Sequence, residues 1–264
     1  METFKKTGVG FEFNPNTHRY YLDGTAMTGV TTILGVIAKP QLIKWSADMA
    51  VDYLLDNSMP TDLVFKKDDG VEILLEKDNR VVSLKTLEEA RKAWSKKRDD
   101  SADLGKEIHS DIEQYIKAKI AGESYTTDKP QVQHFINWAD KHNVQFIASE
   151  EQVYSVKLFV AGTYDFSCII DGRKYLCDLK TGNALYPEYF YQCAAYRMMA
   201  EEMGQTDFKG SILVRIGRDG KFNEDEDVII SESYEDEKEA FLSAHTLYRI
   251  TQKYETKRKG SKAL

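Results

Sequence analysis

The chain has 264 residues, of which 42% are apolar and 30% are charged, a composition typical of a globular protein with a substantial core. Its formal net charge of −7 argues against a protein that coats nucleic acid with a basic surface. The total hides an uneven distribution, because residues 221–239 hold nine acidic and two basic residues and the rest of the chain holds 34 of each sign. A local basic groove is therefore compatible with the sequence.

Local composition excludes membrane-spanning and cluster-binding proteins. The sequence has no apolar run of the roughly 20 residues that a membrane-spanning helix needs. The first residues lack the apolar stretch of a signal peptide, so we expect a cytoplasmic protein without membrane contact. The cysteines Cys168, Cys177 and Cys193 have no Cys-x-x-Cys spacing, which argues against a zinc site and against an iron–sulfur cluster.

The first third of the chain predicts short strands, two helices and an irregular insertion. Residues 9–24 predict two strands around an Asn-Pro-Asn turn. Hydroxyl residues from Thr28 onward predict a helix that ends or restarts near Pro40, and 41–56 has the apolar spacing of another helix. Between 57 and 85 the pattern is irregular, which predicts a variable insertion.

The remainder of the chain predicts an α/β fold. The segment 86–121 has a helical pattern, with a break or a close approach at Gly105. Its apolar stripe consists of Leu104, Ile108, Ile112, Tyr115, Ile116 and Ile120. Further helices are predicted at 130–142, 187–203 and 233–257, and strands at 145–155, 158–170, 173–180, 210–216 and 226–231. This order predicts a mixed sheet flanked by helices.

The chain shows no internal repeat and no linker, so we expect a single domain over 1–264. Its first part, 1–85, would hold N-terminal strands, a helical embellishment and the insertion. The core would cover 86–232, and 233–264 would form a closing helix with a basic tail.

The most informative segment is 162–182, where two strand-like runs flank Asp171 and Gly172. This dipeptide favours a type I′ turn because both central residues need a positive φ. In a two-residue hairpin centred there, facing residues have numbers that sum to 343. Asp165 then lies directly opposite Asp178, on one face of the sheet.

Such an acid pair needs a compensating positive charge. Facing side chains have Cβ atoms about 4.5–5.5 Å apart, and like charges there are destabilising. Two carboxylates about 4 Å apart would repel by roughly 4 kcal/mol at an effective dielectric constant near 20. Lys180 follows Asp178 by two residues and returns to the same face of the strand.

These three groups allow several interpretations. Lys180 could form a simple salt bridge, or the strand could be an exposed one with alternating charges. Two carboxylates and a lysine are also the smallest site for a divalent cation at a phosphodiester. Hard carboxylate oxygens hold Mg²⁺ or Mn²⁺, and the ammonium group acts as a point charge.

Five short motifs follow one another along the chain. They are His18 to Gly24 with Thr31 to Leu34 and Trp45; Gly105 to His109 with Glu113; Glu150; Asp165 with Asp178, Leu179 and Lys180; and Gln192 with Tyr196. In this order they resemble the motifs of the PD-(D/E)XK nucleases, in their RecB-like, phage-type exonuclease branch. The resemblance covers roughly 15–50 and 86–200. Many relatives carry four cysteines for an iron–sulfur cluster, so this chain is similar to the cluster-free members.

The resemblance implies a PD-(D/E)XK core and a role for each matched residue. Asp165 and Asp178 would ligate Mg²⁺ or Mn²⁺, with the Leu179 carbonyl and His109 as further ligands. An imidazole ligand predicts that Mn²⁺ is accepted at least as readily as Mg²⁺. Lys180 would orient the attacking water and stabilise charge on the phosphate.

The other matched residues have open alternatives. Glu150 could bind a second metal, although Glu151 points to the other face and the register could be off by one. Gln192 would contact the nucleic acid or the water, and Tyr196 belongs either to the site or to the core. Glu113 could support the site or merely face solvent.

Basic residues outside these motifs are candidate DNA contacts, because phosphate binding needs positive charge. They are Lys96, Lys97 and Arg98 in the long helix and Lys257 and Arg258 near the C-terminus, together with the polar Gln192. Each charge could equally be solvated, and the tail could be frayed.

The sequence thus predicts a metal-dependent DNA exonuclease that hydrolyses phosphodiester bonds in phage-type recombination or replication. The alternatives are a structure-selective endonuclease of the same fold and a catalytically inactive nucleic-acid-binding or assembly protein. DNA is the expected partner, with a second copy of the chain or a phage recombination protein as further candidates. The expected location is a cytoplasm, that of the host cell if a phage encodes the protein.

Overall fold

The computed structural model describes residues 10–37, 39–60, 73–77 and 80–260. Contacts divide the chain into two compact units, of which one is Met1–Ile37 with Gly105–Leu264 and the other is Ala38–Leu104. The sequence predicted one domain over 1–264. The smaller unit coincides with the second helix, the insertion and the first part of the long helix in that prediction.

The larger unit begins with an antiparallel hairpin, as the Asn-Pro-Asn sequence predicted. Asn14 Oδ1 accepts hydrogen bonds from the backbone N–H groups of Asn16 and Thr17, which fixes the turn. The elements in this part are β1 (Phe11–Asn14), β2 (Arg19–Leu22), β3 (Thr25–Ala26), β4 (Thr28–Gly29) and the short helix α1 (Val30–Leu34). Strands β1, β2 and β3 form one small sheet in that order.

The smaller unit contains helical segments and a second small sheet. Its elements are α2 (Pro40–Asp56), β5 (Met59–Pro60), β6 (Ile73–Lys77), β7 (Arg80–Ser83) and the first residues of α3 (Leu84–Ala121). The strands pair antiparallel in the order β5-β7-β6, so the predicted insertion contains a hairpin. Residues 61–72 and 78–79 of the insertion lie outside the described residues.

A mixed sheet forms the centre of the larger unit. Its strands are β4, β8 (Gln145–Ser155), β9 (Val160–Ile170), β10 (Arg173–Lys180), β11 (Phe208–Arg215) and β12 (Val228–Ser231). The order is β12-β11-β10-β9-β4, and β8 also pairs with β9. Strand β10 is parallel to β11 and β4 is parallel to β9, whereas the other pairs are antiparallel.

Helices cover both faces of this sheet, which confirms the predicted α/β class. They are α1, α3, α4 (Pro130–Lys141), α5 (Pro187–Glu202) and α7 (Glu235–Gly260), and the short helix α6 (Glu224–Asp227) precedes β12. Cys177 of β10 packs in a core cluster with Ile112 of α3, the α3-side cluster. Its neighbour Leu176 packs with Ala195 of α5 and Phe241 of α7 in the α5-side cluster. Successive strand residues face opposite sides, so the two clusters lie on opposite faces of the sheet.

Some details differ from the sequence-based prediction. The buried stripe of α3 is shorter than expected, since Leu104 is 38% exposed and Ile120 is 46% exposed. Helix α6 was not predicted; Asn223 caps it by accepting a hydrogen bond from the Asp225 backbone N–H. The three cysteines are buried and free. Within the described part of the chain, every helix is too short or too polar to cross a membrane.

Candidate active site

The β9-β10 hairpin has the predicted turn and register. Asp171 and Gly172 have φ values of 49° and 74°, as a type I′ turn requires. The ladder runs from the pair of Arg173 with Ile170 to the pair of Cys177 with Phe166, and every pair sums to 343. The ladder stops one residue before the acids, so Asp178 and Asp165 occupy the next position of the same register.

Asp165 connects the two strands where the ladder stops. Its Oδ2 accepts a hydrogen bond of 2.5 Å from the Leu179 backbone N–H. The same oxygen lies 3.9 Å from Nδ1 of His109 on α3. The side chain of Asp165 is 19% exposed, so its carboxylate is accessible at the edge of a largely buried region.

The side-chain alternation of β9 changes at Asp165. Tyr164 packs in the α5-side cluster, whereas Phe166 and Cys168 pack in the α3-side cluster. Residues two apart in a regular strand face the same side, so β9 is irregular at the acid. Asp165 therefore lies at the point where the side chains on either side of it, Tyr164 and Phe166, pack on opposite faces of the sheet.

Strand β8 is irregular at the same level. Ser149 pairs with Phe166 and Glu151 pairs with Tyr164, and Glu150 between them has a φ of 54°. A positive φ is uncommon for a residue with a side chain, and such positions persist only where the surroundings hold them. The pairs made by Ser149 and Glu151 define the register on both sides of Glu150. The backbone of Glu150 itself is left-handed.

Glu150 lies in the electrostatic field of the two aspartates. Burial raises the pKa of Glu150 to about 8, and repulsion from Asp165, Glu113 and Asp178 adds to the effect while Lys117 opposes it. Glu113 forms an ion pair with Lys117. Glu113, Lys117 and Glu150 also line a cavity of about 550 Å³ beside β1, and we call it the acidic cavity.

The buried Asp178 forms an ion pair with Lys180, whose side chain is 18% exposed. Asp178 is 2% exposed, and its Oδ2 lies 2.5 Å from Lys180 Nζ. Apart from this ion pair, Oδ2 has no hydrogen-bond partner among the described residues. Burial raises the pKa of Asp178, Lys180 lowers it and Asp165 raises it further. Burial lowers the pKa of Lys180, but Asp178 and Asp165 together outweigh burial and the net direction is upward.

Helix α5 fixes the position of Lys180. Lys180 Nζ donates a hydrogen bond of 3.1 Å to Oε1 of Gln192. Gln192 Nε2 donates a hydrogen bond of 2.7 Å to the Tyr196 hydroxyl. The ammonium group also lies 4.7 Å from the centre of the Tyr189 ring, within the range of a cation–π contact. The ring of Tyr196 is buried in the α5-side cluster, as the core interpretation predicted, and its hydroxyl belongs to this chain of hydrogen bonds. Its role in a site stays a prediction.

Two glycines allow close packing around these groups. A Cβ at Gly162 would come 2.3 Å from the Tyr196 ring, so only glycine lets β9 approach that ring. A Cβ at Gly105 would come 2.7 Å from Thr181 Oγ1, so α3 packs tightly on the residue that follows Lys180. Of the two predictions for Gly105, the close approach is confirmed and the break is wrong, because α3 continues through it.

Some residues that contact the candidate site were not identified from the sequence. Tyr189 lies one helical turn before Gln192, a spacing that places two residues on one face, and this signal was available. Arg215 pairs with Lys180 in the parallel register of β10 and β11, and its Nη1 lies 3.4 Å from the Gly182 carbonyl oxygen that accepts its hydrogen bond. Arg215 also forms an ion pair with the buried Asp227, a long-range contact with no local sequence signal.

The predicted DNA contacts lie apart along the chain. Lys96, Lys97 and Arg98 are exposed on α3 within the smaller unit. Arg98 pairs with Asp99, and its guanidinium lies 4.9 Å from the centre of the Trp94 ring. Lys257 and Arg258 are near the end of α7 in the larger unit; Arg258 is exposed, and the side chain of Lys257 lies outside the described part.

The donor types at this site suit a hard divalent cation, because carboxylate oxygens dominate and one imidazole accompanies them. Asp178 Oδ2 is buried and has the Lys180 ammonium group as its ion-pair partner, so a metal cation bound there would share this oxygen with the lysine. The described side chains nevertheless include no group of three or more His, Cys, Asp or Glu residues placed to hold a metal ion. As placed here, Lys180 is the cation that balances Asp178, so the predicted salt bridge is present.

Comparison with protein-family models and with curated proteins gave no match for this chain. The PD-(D/E)XK resemblance therefore stays a prediction from the motifs.

Proposed function

We propose that the protein is a metal-dependent deoxyribonuclease with a PD-(D/E)XK core, acting as an exonuclease. The observation that supports this proposal most strongly is the setting of Lys180. A largely buried lysine, with a side chain 18% exposed, is held between Asp178 and Gln192, and the neighbouring strand supplies a second carboxylate, Asp165, at the next position of the register. Lysine is rarely buried without such partners, and perturbed charged groups in one cluster are typical of active sites.

In this proposal the acids would hold the metal and the lysine would act on the phosphate. Asp165 and Asp178, with His109, Glu150 and the Leu179 carbonyl, would hold Mg²⁺ or Mn²⁺. When bound, such a cation lowers the pKa of a water molecule and neutralises charge on a phosphate oxygen.

Lys180 would supply a fixed positive charge next to the reacting phosphate. Gln192 accepts one of its hydrogens, so the ammonium group cannot rotate freely. Tyr196 holds the Gln192 amide in the orientation that presents Oε1 to the lysine. A charge that is oriented before the reaction stabilises a developing negative charge without reorganisation.

A gel assay of linear and covalently closed circular DNA tests the proposal. We expect degradation of linear DNA with Mn²⁺ or Mg²⁺ and none in excess chelator, while circles remain intact. The substitutions Lys180→Gln and Asp178→Asn should abolish degradation. The matched controls Lys174→Gln and Asp171→Asn should not, because Lys174 pairs with Asp207 near the other end of β10 and Asp171 is in the exposed turn.

Each of the other possible results of this assay points to a different conclusion. Cleavage of circles would indicate the structure-selective endonuclease. Retarded DNA with no products under either cation would indicate a catalytically inactive DNA-binding or assembly protein. Activity that persists in chelator would refute the metal role.

A further inference from the structure

A second cavity, of about 380 Å³, has lining residues unlike those of the acidic cavity. It lies between the β1-β2 hairpin and the start of α1, and we call it the Arg19 cavity. Its polar lining includes His18, Arg19, Thr28, Thr31 and Thr32. No aspartate or glutamate of the described chain lines it, although the sequence has 43 acidic residues. The acidic cavity, by contrast, is lined by three glutamates.

Arg19 and two threonine hydroxyls of the Arg19 cavity have no partner among the described residues. Arg19 is exposed and forms no ion pair with any described residue, whereas Arg215 and Arg197 pair with carboxylates. The hydroxyls of Thr28 and Thr31 likewise form no hydrogen bond within the described chain. An arginine side chain only donates hydrogen bonds, and hydroxyls can donate. A ligand rich in acceptor oxygens and negatively charged would satisfy these groups.

Two tyrosines and a glycine form a closely packed wall of the cavity. Tyr20 is buried, and its hydroxyl lies 2.8 Å from Thr163 Oγ1. The Tyr196 ring lies against Gly162, where a Cβ would come within 2.3 Å of it. Both tyrosines and Gly162 line the cavity, so its shape is held by core packing and hydrogen bonding.

The same wall connects the cavity to the candidate active site. The Tyr196 hydroxyl accepts a hydrogen bond from Gln192, which in turn accepts one from Lys180. The acidic cavity, which contains Glu150, shares His18 with the Arg19 cavity. A cavity lined by three glutamates and a cavity lined by an arginine and no acidic residue of the described chain thus share one residue of the hairpin.

We propose that the Arg19 cavity binds a phosphate group of the nucleic-acid strand, at a linkage other than the one that is cut. Arg19 supplies the charge, because guanidinium groups bind phosphate oxygens through paired hydrogen bonds. The threonine hydroxyls supply further hydrogen bonds. The identity of the ligand as a strand rests on the proposed nuclease function, whereas phosphate binding as such does not.

Inorganic phosphate, titrated in chelator, tests the chemistry of the cavity without any catalysis. We expect saturable shifts of the Thr31 and Thr32 amide resonances. Arg19→Gln should weaken binding by about tenfold or more, the usual effect of losing one hydrogen bond to a charged group. The control Arg173→Gln should bind as the wild type does, because that arginine pairs with Glu232 beside the turn of the β9-β10 hairpin. Absent shifts, or equal binding by the Arg19 variant, would overturn the proposal.

A series of fluorescent oligonucleotides, each with one uncharged methylphosphonate, tests whether the ligand is a strand. Binding is measured with Ca²⁺ in place of Mg²⁺ or Mn²⁺. At one linkage, the methylphosphonate should lower the affinity of the wild type about tenfold. The Arg19→Gln variant should bind the oligonucleotides with and without this methylphosphonate equally well. The slope of log affinity against log salt should also fall by about one for this variant.

The outcomes separate this proposal from the proposed function. Phosphate binding with no sensitive linkage would make the ligand free phosphate and would overturn the strand assignment. A sensitive linkage in a protein that degrades no DNA would support the cavity and refute the nuclease. Metal-dependent degradation of DNA, without phosphate binding and without a sensitive linkage, would refute the proposed role of the Arg19 cavity and leave the proposed nuclease function standing.

Discussion

The substitution Glu150→Gln should stabilise the protein at alkaline pH and have little effect at acidic pH. Burial and the neighbouring carboxylates raise the pKa of Glu150 from 4.5 to about 8, so the folded state binds the proton more tightly than the unfolded chain does. An acid with a raised pKa contributes fully to stability below its unfolded pKa. That contribution is lost as the pH rises toward the folded pKa. Glutamine resembles the protonated acid at every pH, so the variant should keep this contribution to stability at alkaline pH.

The magnitude follows from the same shift. If the whole pKa shift were expressed as free energy of unfolding, Glu150→Gln would gain roughly 5 kcal/mol at pH 9. Glu150 is only partly buried, so solvent screening reduces this gain to about 2 kcal/mol. For a chain of this length that corresponds to a rise of roughly 5 °C in Tm.

Thermal melting in chelator at pH 5, 6.5 and 8.5 measures this difference. Glu239→Gln is the matched control, since it makes the same charge change on an exposed position of α7 and should leave Tm nearly unchanged. A difference between wild type and Glu150→Gln that is the same at all three pH values would refute the reasoning. So would a variant that is less stable at pH 8.5.

Two further substitutions test packing and charge near the site. Gly162→Ala should lower stability by about 1–3 kcal/mol in urea titrations, because the new Cβ would overlap the Tyr196 ring and overpacking has costs of this size. Gly29→Ala, with its nearest neighbour at 3.6 Å, is the control, and equal effects of the two would count against the packing argument. Asp227→Asn should cost about 3 kcal/mol, because it leaves Arg215 without its buried partner, as breaking a buried pair does. A loss below about 0.5 kcal/mol, the range of ordinary surface substitutions, would show that this pair is energetically unimportant.

Local turn chemistry made the centre of the site predictable. Asp171 and Gly172 determine the turn type, the turn type determines the register, and the register places Asp178 next to Asp165. Each step involves residues close in sequence, so one chain suffices for the inference. The helical spacing of Gln192 and Tyr196 is equally local.

The rest of the site depends on contacts between distant segments. The left-handed backbone at Glu150 is held by its neighbours in space, and β-propensity alone predicts a regular strand there. The pair of Arg215 with Asp227 requires the turn after β11 to bring α6 back to the sheet. The boundary between the two compact units falls inside α3, where no linker composition marks it.

The ion pair between Lys180 and Asp178 has a consequence for how the protein matures. A carboxylate that is already neutralised by the chain itself does not have to wait for a dissolved ion before the surrounding strands can assemble. In the proposed nuclease, folding and metal loading would then be separate events, and protein made in metal-poor medium should fold fully and acquire activity once Mg²⁺ or Mn²⁺ is supplied.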